Sequence, residues 1–187
     1  MNEGRAILAD AQFALVVDRM CHQLIEVYDD FEGVCMVGMQ PRGVLFADRL
    51  VDRLHELLPE APFEYGKLDI TFYRDDFRMR DRQPLRASAT EMDFLVQDKR
   101  VLLVDDVLYT GRSVLAALTA LQHYGRPKTV DLVALVDRRF NRHLPIKSNF
   151  VGITIDALDK AYVKVEWENQ NGADQVLLFP ERFETNL

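Results

Sequence analysis

Apolar residues recur along the chain in two alternating patterns, one typical of amphipathic helices and the other of buried strands. Over residues 13–27 they fall at helical spacing, which predicts a helix that ends near Asp29. The continuous apolar run GVCMVGM at 33–39 suits a strand that is buried on both faces. Helical spacing returns over residues 44–58, and Pro59 then closes the second predicted helix.

The middle of the chain repeats this alternation of strand and helix. Strand composition is found at 63–73, 100–107 and 129–137, and a helical pattern at 114–121 separates the last two. Such an alternation implies right-handed crossovers, so the predicted fold class is α/β, with a central, mainly parallel sheet flanked by helices. After residue 150 the strand candidates FVGITI, YVKVEW and QVLLF follow without a long helix between them. They predict a small β-rich appendage.

Four polar loops each follow a predicted strand. Their sequences are MQPRG at 39–43, YRDDFRMR at 73–80, DDVLYTGRS at 105–113 and DRRFNRHLP at 137–145. The carboxyl ends of parallel strands meet at one edge of the sheet, where open α/β sheets bind their ligands. We therefore expect the four loops to form one site. Because no repeat or linker interrupts the pattern, we expect a single domain over residues 1–187.

Composition and charge narrow the class of protein. The 187 residues are 48% hydrophobic and 28% charged, as is ordinary for a globular domain, and the net charge of −7 argues against a surface that is basic all over. Cys21 and Cys35 form no metal-ligand spacing, and Cys35 lies in an apolar run typical of a buried thiol. The start has no signal-peptide pattern, and no segment approaches the ~20 apolar residues of a membrane helix. We therefore expect a cytoplasmic protein without a membrane partner.

The stretch VLLVDDVLYTGRS at 101–113 carries the strongest chemical signal. Successive backbone N–H groups at 110–113 and the start of the following helix favour an anion, and the hydroxyls of Thr110 and Ser113 add donors. Asp105 and Asp106 would repel a bare phosphate, but they suit a ligand that presents hydroxyl groups beside its phosphate. A ribose 5-phosphate has both features.

Two other interpretations of this stretch are weaker. The loop lacks the spacing of a P-loop and of the dinucleotide-binding fingerprint. Paired acids also cap strands and bind Mg²⁺ in receiver domains and some phosphatases, but a receiver domain places such a pair in its first strand. Here the pair is at residues 105 and 106, directly before a phosphate loop, which favours a ribose phosphate.

As a whole motif, VLLVDDVLYTGRS resembles the phosphoribosyl pyrophosphate (PRPP) motif of type I phosphoribosyltransferases. DDVLYTGR, LDITFYRDD at 68–76, GRP at 125–127, and ALVDR followed by LPI are similar to the PyrR family. That family comprises pyrimidine-operon regulators that also act as uracil phosphoribosyltransferases. The resemblance implies the type I phosphoribosyltransferase fold, with a core over about 30–137 and a hood over about 138–187. The N-terminal segment is a candidate to pack near this hood.

The resemblance also implies roles for the acid pair and the two phosphate loops. Asp105 and Asp106 hold the ribose hydroxyls, directly or through Mg²⁺, and so form the catalytic and metal-binding pair. The 5-phosphate is wrapped by Val107, Leu108, Tyr109, Thr110, Gly111, Arg112 and Ser113. Pyrophosphate is gripped by Met39, Gln40, Pro41, Arg42 and Gly43. Arg42 is the charge partner and catalytic candidate of that loop, the alternative being a solvated surface arginine.

Arg74 and the basic segment after it match the part of the family that closes over the reaction. Closure excludes water, which would otherwise hydrolyse PRPP, so Arg74 is a further catalytic candidate. For Arg78, Arg80 and Arg82 a merely solvated face is an equally good interpretation.

The base pocket is implied to contain Tyr109, Asp137 and Arg138. Purine-type members commonly carry a carboxylate at the position of Tyr109, so a tyrosine there favours a pyrimidine. Two nearby segments depart from the family: DRRFNRHLP stands where it has DRGHRELP, with one residue added, and VGITIDALDK replaces a stretch like IGKNIPTS. Phe140 and Tyr162 are candidates to stack on the base, although core packing is the commoner role of such aromatics.

The predicted reaction is uracil plus PRPP to UMP plus pyrophosphate, with Mg²⁺ as cofactor and a homodimer or higher homo-oligomer as the assembly. Family regulators also bind a messenger-RNA leader, for which the candidate contacts are Arg139, Arg142, His143 and Lys147. Because the base pocket departs from the family, two alternatives stay open. One is a nucleotide-sensing, RNA-binding attenuator with little catalysis, and the other is phosphoribosyl transfer to a different base.

Overall fold

Two β-sheets and four α-helices form the structure, a computed structural model that describes residues 4–75, 87–157 and 161–180. The strands are β1 (Arg5–Ala9), β2 (Val34–Gln40), β3 (Glu64–Asp69), β4 (Arg100–Leu108), β5 (Thr129–Arg138), β6 (Phe150–Ile155), β7 (Tyr162–Glu166) and β8 (Gln175–Phe179). The helices are α1 (Asp10–Tyr28), α2 (Gly43–Leu57), α3 (Arg112–Leu121) and α4 (Glu168–Asn171). In these parts of the chain no helix combines the length and apolarity needed to cross a membrane.

Five parallel strands form the main sheet, in the order β3-β2-β4-β5-β6. All seven residues of β2 are buried, and successive side chains point to opposite faces. Met36 packs with α1 and α2 on one face, while Val37 packs with α3 on the other. This double coverage explains the continuous apolar run, and it confirms the predicted parallel sheet with flanking helices.

The segment FVGITI does not belong to the β-rich appendage, where the sequence pattern placed it. It is β6, which pairs in parallel with β5 at the edge of the main sheet. Asn149 brings it there: its backbone N–H donates to the Leu132 carbonyl (2.8 Å), and its side-chain oxygen accepts from the Leu132 N–H (2.9 Å). The prediction was wrong because the alternation of strand and helix stops before FVGITI: the described connection from β5 to β6 contains no helix, and yet the two strands are parallel neighbours.

The strand predicted over 63–73 is shorter, since β3 ends at Asp69. The Asp69 carboxylate accepts hydrogen bonds from the backbone N–H and the hydroxyl of Thr71, at 2.8 and 2.6 Å. A side chain that bonds its own backbone two residues on favours a turn over an extended ladder. The chain therefore turns into a 3₁₀ helix at Thr71–Tyr73.

A second, antiparallel sheet of three strands, here called the small sheet, has the order β1-β8-β7. Two of its strands come from the predicted YVKVEW and QVLLF segments. The third, β1, was not predicted, because RAILA is short and does not alternate between polar and apolar residues. The N-terminal strand thus pairs with the C-terminal one, with Ala9 opposite Gln175.

Trp167, directly after β7, packs the small sheet against the helices of the main sheet. Its ring lies 5.7 Å from that of Phe13 in an edge-to-face contact and 6.4 Å from that of Phe46 in a stacked one. The side chain is 1% exposed, and the Arg49 guanidinium lies over the ring at 5.8 Å. Aromatic contacts with both α1 and α2 fix where the small sheet lies.

Both cysteines are buried free thiols. Burial raises the pKa of Cys35 to about 11 and that of Cys21 to about 12. The predicted buried thiol at Cys35 is confirmed, and neither sulfur is a thiolate at neutral pH.

Candidate active site at the carboxyl edge of the main sheet

All four polar loops leave strands that run in the same direction, so the structure places their starting points along one edge of the main sheet. The loops follow β2, β3, β4 and β5, which are neighbours in the order β3-β2-β4-β5. The shared edge that the sequence predicted is therefore confirmed.

The acid pair lies near the end of β4. Asp106 is 5% exposed, Asp105 is half-buried, and the Asp106 N–H donates to the Asp105 carboxylate at 2.9 Å. Burial, and secondly the negative charge of Asp106, raise the pKa of Asp105 well above its ordinary value. Burial makes the charged form of the Asp105 carboxyl group unfavourable. A bound cation would offset this cost by stabilising the charged carboxylate.

Arg42 supplies a positive charge beside the acid pair. Its Nε donates to Asp106 Oδ2 at 2.8 Å, and its Nη2 donates to the Val165 carbonyl, also at 2.8 Å. The loop reaches β4 this closely because α2 begins with Gly43, where a Cβ atom would lie 2.5 Å from the Val104 carbonyl oxygen. Glycine at this position is required by the packing.

The other residues of the predicted pyrophosphate loop differ in how far they can contribute. The Met39 side chain belongs to the core, so only its backbone can face a ligand. Gln40 is 8% exposed and donates to the Ala89 carbonyl at 2.9 Å, and the Gln40–Pro41 peptide bond is cis. The Gln40 side-chain oxygen is buried, and no described residue forms a hydrogen bond with it. The polar group that this loop offers to an anion is thus the Arg42 guanidinium, together with backbone N–H groups.

The predicted 5-phosphate loop joins β4 to the N-terminus of α3. Gly111 precedes the helix with φ of +90°, a left-handed conformation that glycine adopts without strain. The first helical N–H groups and the helix dipole then face the loop, as in known anion sites. The Leu108 side chain is in the core, whereas Thr110, Arg112 and Ser113 have solvent-accessible side chains.

The chain after β5 packs against this phosphate loop from outside. The His143 N–H donates to the Thr110 carbonyl at 3.0 Å, and Arg142 donates both to the Tyr109 carbonyl and to the Asp137 carboxylate. A Cβ atom on Gly111 would lie 3.2 Å from Ile146. Arg142, a candidate RNA contact in the sequence, is therefore only partly exposed and is directed at the phosphate loop.

Arg74 lies at the same loop, from the side of β3. Its Nη1 donates to the Ser113 hydroxyl at 2.8 Å, and the neighbouring Asp75 forms an ion pair with Arg112. The structure thus puts Arg74 beside the predicted 5-phosphate site. The rest of the basic segment, with Arg78, Arg80 and Arg82, lies outside the described residues.

A cavity of about 260 Å³ opens between Asp106 and the small sheet. Its walls are formed by Arg42, Asp106, Val107, Tyr109, Arg138, Ala161, Tyr162 and Val163. Arg138 is 4% exposed, its guanidinium lies 4.0 Å from the centre of the Tyr109 ring, and its Nη2 donates to the Ala161 carbonyl at 2.9 Å. The side of the cavity away from the main sheet is therefore the small sheet.

The predicted base-pocket residues divide at this cavity. Tyr109 and Arg138 line it, but Asp137 does not and is bound to Arg142 instead. Of the two aromatic candidates, Tyr162 lines the cavity, whereas Phe140 is 75% exposed and stands outside its walls. Of the five residues considered for the base pocket, Tyr109, Arg138 and Tyr162 line the cavity.

The chain matches the phosphoribosyl transferase domain over residues 4–170. It is 42% identical to the bifunctional protein PyrR of Deinococcus radiodurans over 174 residues, which cover 92% of this chain and 93% of that protein. It is 40% identical to the bifunctional protein PyrR of Streptomyces coelicolor over 177 residues, covering 95% of this chain and 90% of that protein. The chain belongs to the phosphoribosyltransferase family. Its predicted place in the PyrR branch, and the predicted phosphoribosyl-transfer function, are confirmed by these similarities.

Solved structures agree on the fold. The hypoxanthine phosphoribosyltransferase of Trypanosoma cruzi has a TM-score of 0.70 at 13% identity and covers 95% of this chain and 97% of its own. The Staphylococcus aureus hypoxanthine phosphoribosyltransferase has a TM-score of 0.58 at 17% identity, with coverages of 86% and 81%. At identities this low the similarity shows the fold alone. The TM-scores confirm the predicted type I phosphoribosyltransferase fold.

As a phosphoribosyltransferase, this chain takes PRPP and a base or nucleotide as its ligands, and members of the family generally use Mg²⁺ with PRPP. Two elements of its site were not found from the sequence. The carbonyl groups of Val165, in the edge strand β7, and of Ala161, directly before that strand, accept hydrogen bonds from Arg42 and Arg138 respectively. Backbone carbonyls carry no sequence signal, so only the pairing of β7 at an edge could have pointed to them.

Proposed function

We propose that this protein transfers the phosphoribosyl group of PRPP to uracil, giving UMP and pyrophosphate. The observation that carries the proposal is the position of Asp106. It lies on the strand that leads into the 5-phosphate loop, and it lines the cavity formed with Tyr109 and Arg138. A ribose bound at the acid pair would therefore have its phosphate at one end and a base in the cavity at the other.

The acid pair is suited to the ribose hydroxyls and to Mg²⁺. Carboxylate oxygens are the ligands that Mg²⁺ prefers, and it is commonly bound by one or two carboxylates together with substrate phosphates and water. Asp105 and Asp106 offer that donor set, and among the described residues no group of three or more acidic, histidine or cysteine side chains forms a complete protein cage. When bound, Mg²⁺ would neutralise charge on the pyrophosphate of PRPP.

The protein side chains then act mainly by orientation and charge. The bond from ribose C1 to pyrophosphate breaks, the bond from C1 to uracil N1 forms, and the N1 proton is released with pyrophosphate. Arg42 stands where it can neutralise the leaving group, and Asp106 where it can stabilise positive charge that develops on the ribose. Arg74 and Ser113 would hold the 5-phosphate together with the first N–H groups of α3.

The cavity favours a pyrimidine with carbonyl groups. Arg138 offers only N–H donors, which pair with a carbonyl oxygen and oppose an amino group. Uracil has a carbonyl group at the position where cytosine carries an amino group, so we expect uracil to be preferred. Tyr109, whose ring lies 4.0 Å from the Arg138 guanidinium, would offer the base an aromatic ring rather than a carboxylate.

A second function, regulation through messenger RNA, is favoured by one observation. His143 and Lys147 are exposed on the segment that packs against the phosphate loop, so a nucleotide in the site could alter a basic surface beside it. Arg139 is exposed there too, but its Nε and Nη2 groups both donate to the Asp156 carboxylate. We propose that residues 1–187 act as one domain in a homodimer or larger homo-oligomer that presents this surface to a leader RNA.

Release of pyrophosphate from PRPP with Mg²⁺ tests the enzymatic function, with uracil, cytosine, orotate, hypoxanthine and guanine supplied one at a time. We expect turnover with uracil and less than about a hundredth of it with cytosine, since a hydrogen-bonding site rejects a mismatched polar group strongly. Turnover with a purine would overturn the choice of base. UMP binding without turnover of any base would leave the sensor as the function.

A further inference from the structure

Asp69 connects two described segments that lie beyond the end of β3. The outgoing side is residues 70–75, which follow β3 and include Arg74; the returning side is residues 87–93, in which Glu91 pairs with Lys67. On the outgoing side the Asp69 carboxylate accepts from the Thr71 N–H (2.8 Å) and hydroxyl (2.6 Å). On the returning side it accepts from the Ser88 N–H at 2.9 Å. One carboxylate, only 9% exposed as a residue, thus connects both sides.

The returning side is attached to the sheet by further bonds. The Asp69 N–H donates to the Thr90 hydroxyl at 3.0 Å, and Gln40 donates to the Ala89 carbonyl at 2.9 Å. Lys67 and Glu91 exchange two backbone hydrogen bonds of 2.8 Å. This side is therefore fixed, and the Asp69 carboxylate ties the outgoing side to it.

The outgoing side delivers Arg74 to the phosphate loop. Thr71 begins the 3₁₀ helix Thr71–Tyr73, and Arg74 is the residue that follows this helix. Arg74 Nη1 donates to the Ser113 hydroxyl at 2.8 Å. A continuous set of contacts therefore runs from the buried Asp69 carboxylate through the short helix to the start of α3.

We propose that Asp69 is a positioning residue for the 5-phosphate site, and that it acts through Arg74. This proposal rests on the proposed phosphoribosyl transfer and deepens it. Asp69 contacts no part of PRPP. It fixes the 3₁₀ helix so that the Arg74 guanidinium meets the 5-phosphate beside Ser113 without first having to be ordered.

The test is a double-mutant cycle between Asp69→Asn and Arg74→Ala. The asparagine keeps one acceptor oxygen, but its amide nitrogen is a donor and would face a donor of Thr71 or Ser88. In the wild-type background we expect Asp69→Asn to raise the KM for PRPP about tenfold, with kcat and the KM for uracil within about twofold. In the Arg74→Ala background the same change should move the KM for PRPP by less than about twofold.

Asp93→Asn is the matched control, because it removes the same charge from an exposed position on the returning side and should leave all constants unchanged. Hydrogen exchange reports the geometry independently: Asp69→Asn should speed exchange at the Thr71 and Ser88 amides. Equal effects of Asp69→Asn in both backgrounds, or faster exchange with an unchanged KM for PRPP, would overturn the proposal. Should the wild type turn over no base, the proposed function fails, and the same cycle is measured as the Kd of Mg²⁺–PRPP.

Discussion

Arg42 and Asp106 form a hydrogen-bonded ion pair, with Arg42 Nε 2.8 Å from Asp106 Oδ2. The carboxylate is buried, whereas the guanidinium is nearly half exposed. Burial alone lowers the pKa of the Arg42 guanidinium, but the charge and the hydrogen bond of Asp106 outweigh it, so the pKa is raised overall. The guanidinium therefore stays charged beside the cavity, where the proposed reaction would release pyrophosphate.

Replacing Arg42 by alanine should damage both catalysis and stability. It leaves the Asp106 carboxylate buried without its cation and removes the bond to the Val165 carbonyl. We expect kcat/KM to fall about a hundredfold. The free energy of unfolding should fall by about 1–2 kcal/mol, less than for a fully buried pair because the guanidinium is partly exposed to water.

Steady-state kinetics and urea unfolding measure these two effects. Arg53→Ala is the control, since Arg53 pairs with Asp18 and Glu56 at the surface of the helices and should leave kcat/KM unchanged. An Arg42→Ala variant with wild-type kcat/KM would exclude Arg42 from the reaction.

The raised pKa of Asp105 predicts a pH-dependent stability. The folded protein binds the proton of the Asp105 carboxyl group more tightly than the unfolded chain does. The resulting contribution to the free energy of unfolding is complete below the ordinary aspartate pKa of about 4. It is lost as the pH rises from there through the folded pKa. Asparagine has no proton to lose in this pH range. The free energy of unfolding of Asp105→Asn should therefore increase relative to that of the wild type as the pH rises from about 4 through the folded pKa. Urea unfolding at a series of pH values shows this, and parallel curves for the two proteins would contradict it.

Arg142 should support PRPP binding through the shape of the phosphate loop. It donates to the Tyr109 carbonyl and to Asp137, so Arg142→Ala frees the loop from the chain that packs outside it. We expect a KM for PRPP about tenfold higher, with a smaller increase for Arg142→Lys, which keeps the charge but cannot bond both acceptors in the same geometry. Arg139→Ala, in the same segment but bound to Asp156, is the control. A loss of RNA binding with unchanged kinetics would show that Arg142 serves the RNA surface instead.

Arg138 should determine the affinity for the base. Arg138→Lys keeps the charge, but it loses the planar contact with the Tyr109 ring and the fork of donors. The expected result is a KM for uracil about tenfold higher, with the KM for PRPP within about twofold. Phe140→Ala, at an exposed position outside the cavity, should change neither constant. An equal rise in the KM for uracil and the KM for PRPP would contradict this, and would indicate that Arg138 stabilises the fold and does not bind the base.

What the sequence predicted well depends on neighbouring residues. Helices α1, α2 and α3, the buried strands of the main sheet and the loop between β4 and α3 each arise within one short stretch, where periodicity and turn residues are decisive. The shared edge followed from strand direction alone. The motif also singled out Asp105 and Asp106, and Asp106 does line the cavity; the binding of ribose or Mg²⁺ by this pair stays a prediction.

What the sequence did not predict depends on distant parts of the chain. The strand β1 exists because β8 pairs with it, and β6 joins the main sheet because Asn149 binds the backbone of Leu132. Asp137 was assigned to the base pocket, but Arg142 captures it. No periodicity records such pairings, since each partner has an ordinary local sequence.

The most direct test of the proposed function is the conversion of radiolabelled uracil to UMP in the presence of PRPP and Mg²⁺. The wild type should form UMP in proportion to the pyrophosphate released. The double variant Asp105→Asn, Asp106→Asn should fall by about a thousandfold or more, because it lacks both ribose-binding carboxylates. Absence of UMP from the wild-type reaction, or UMP formed equally well by the double variant, would contradict phosphoribosyl transfer to uracil at this site.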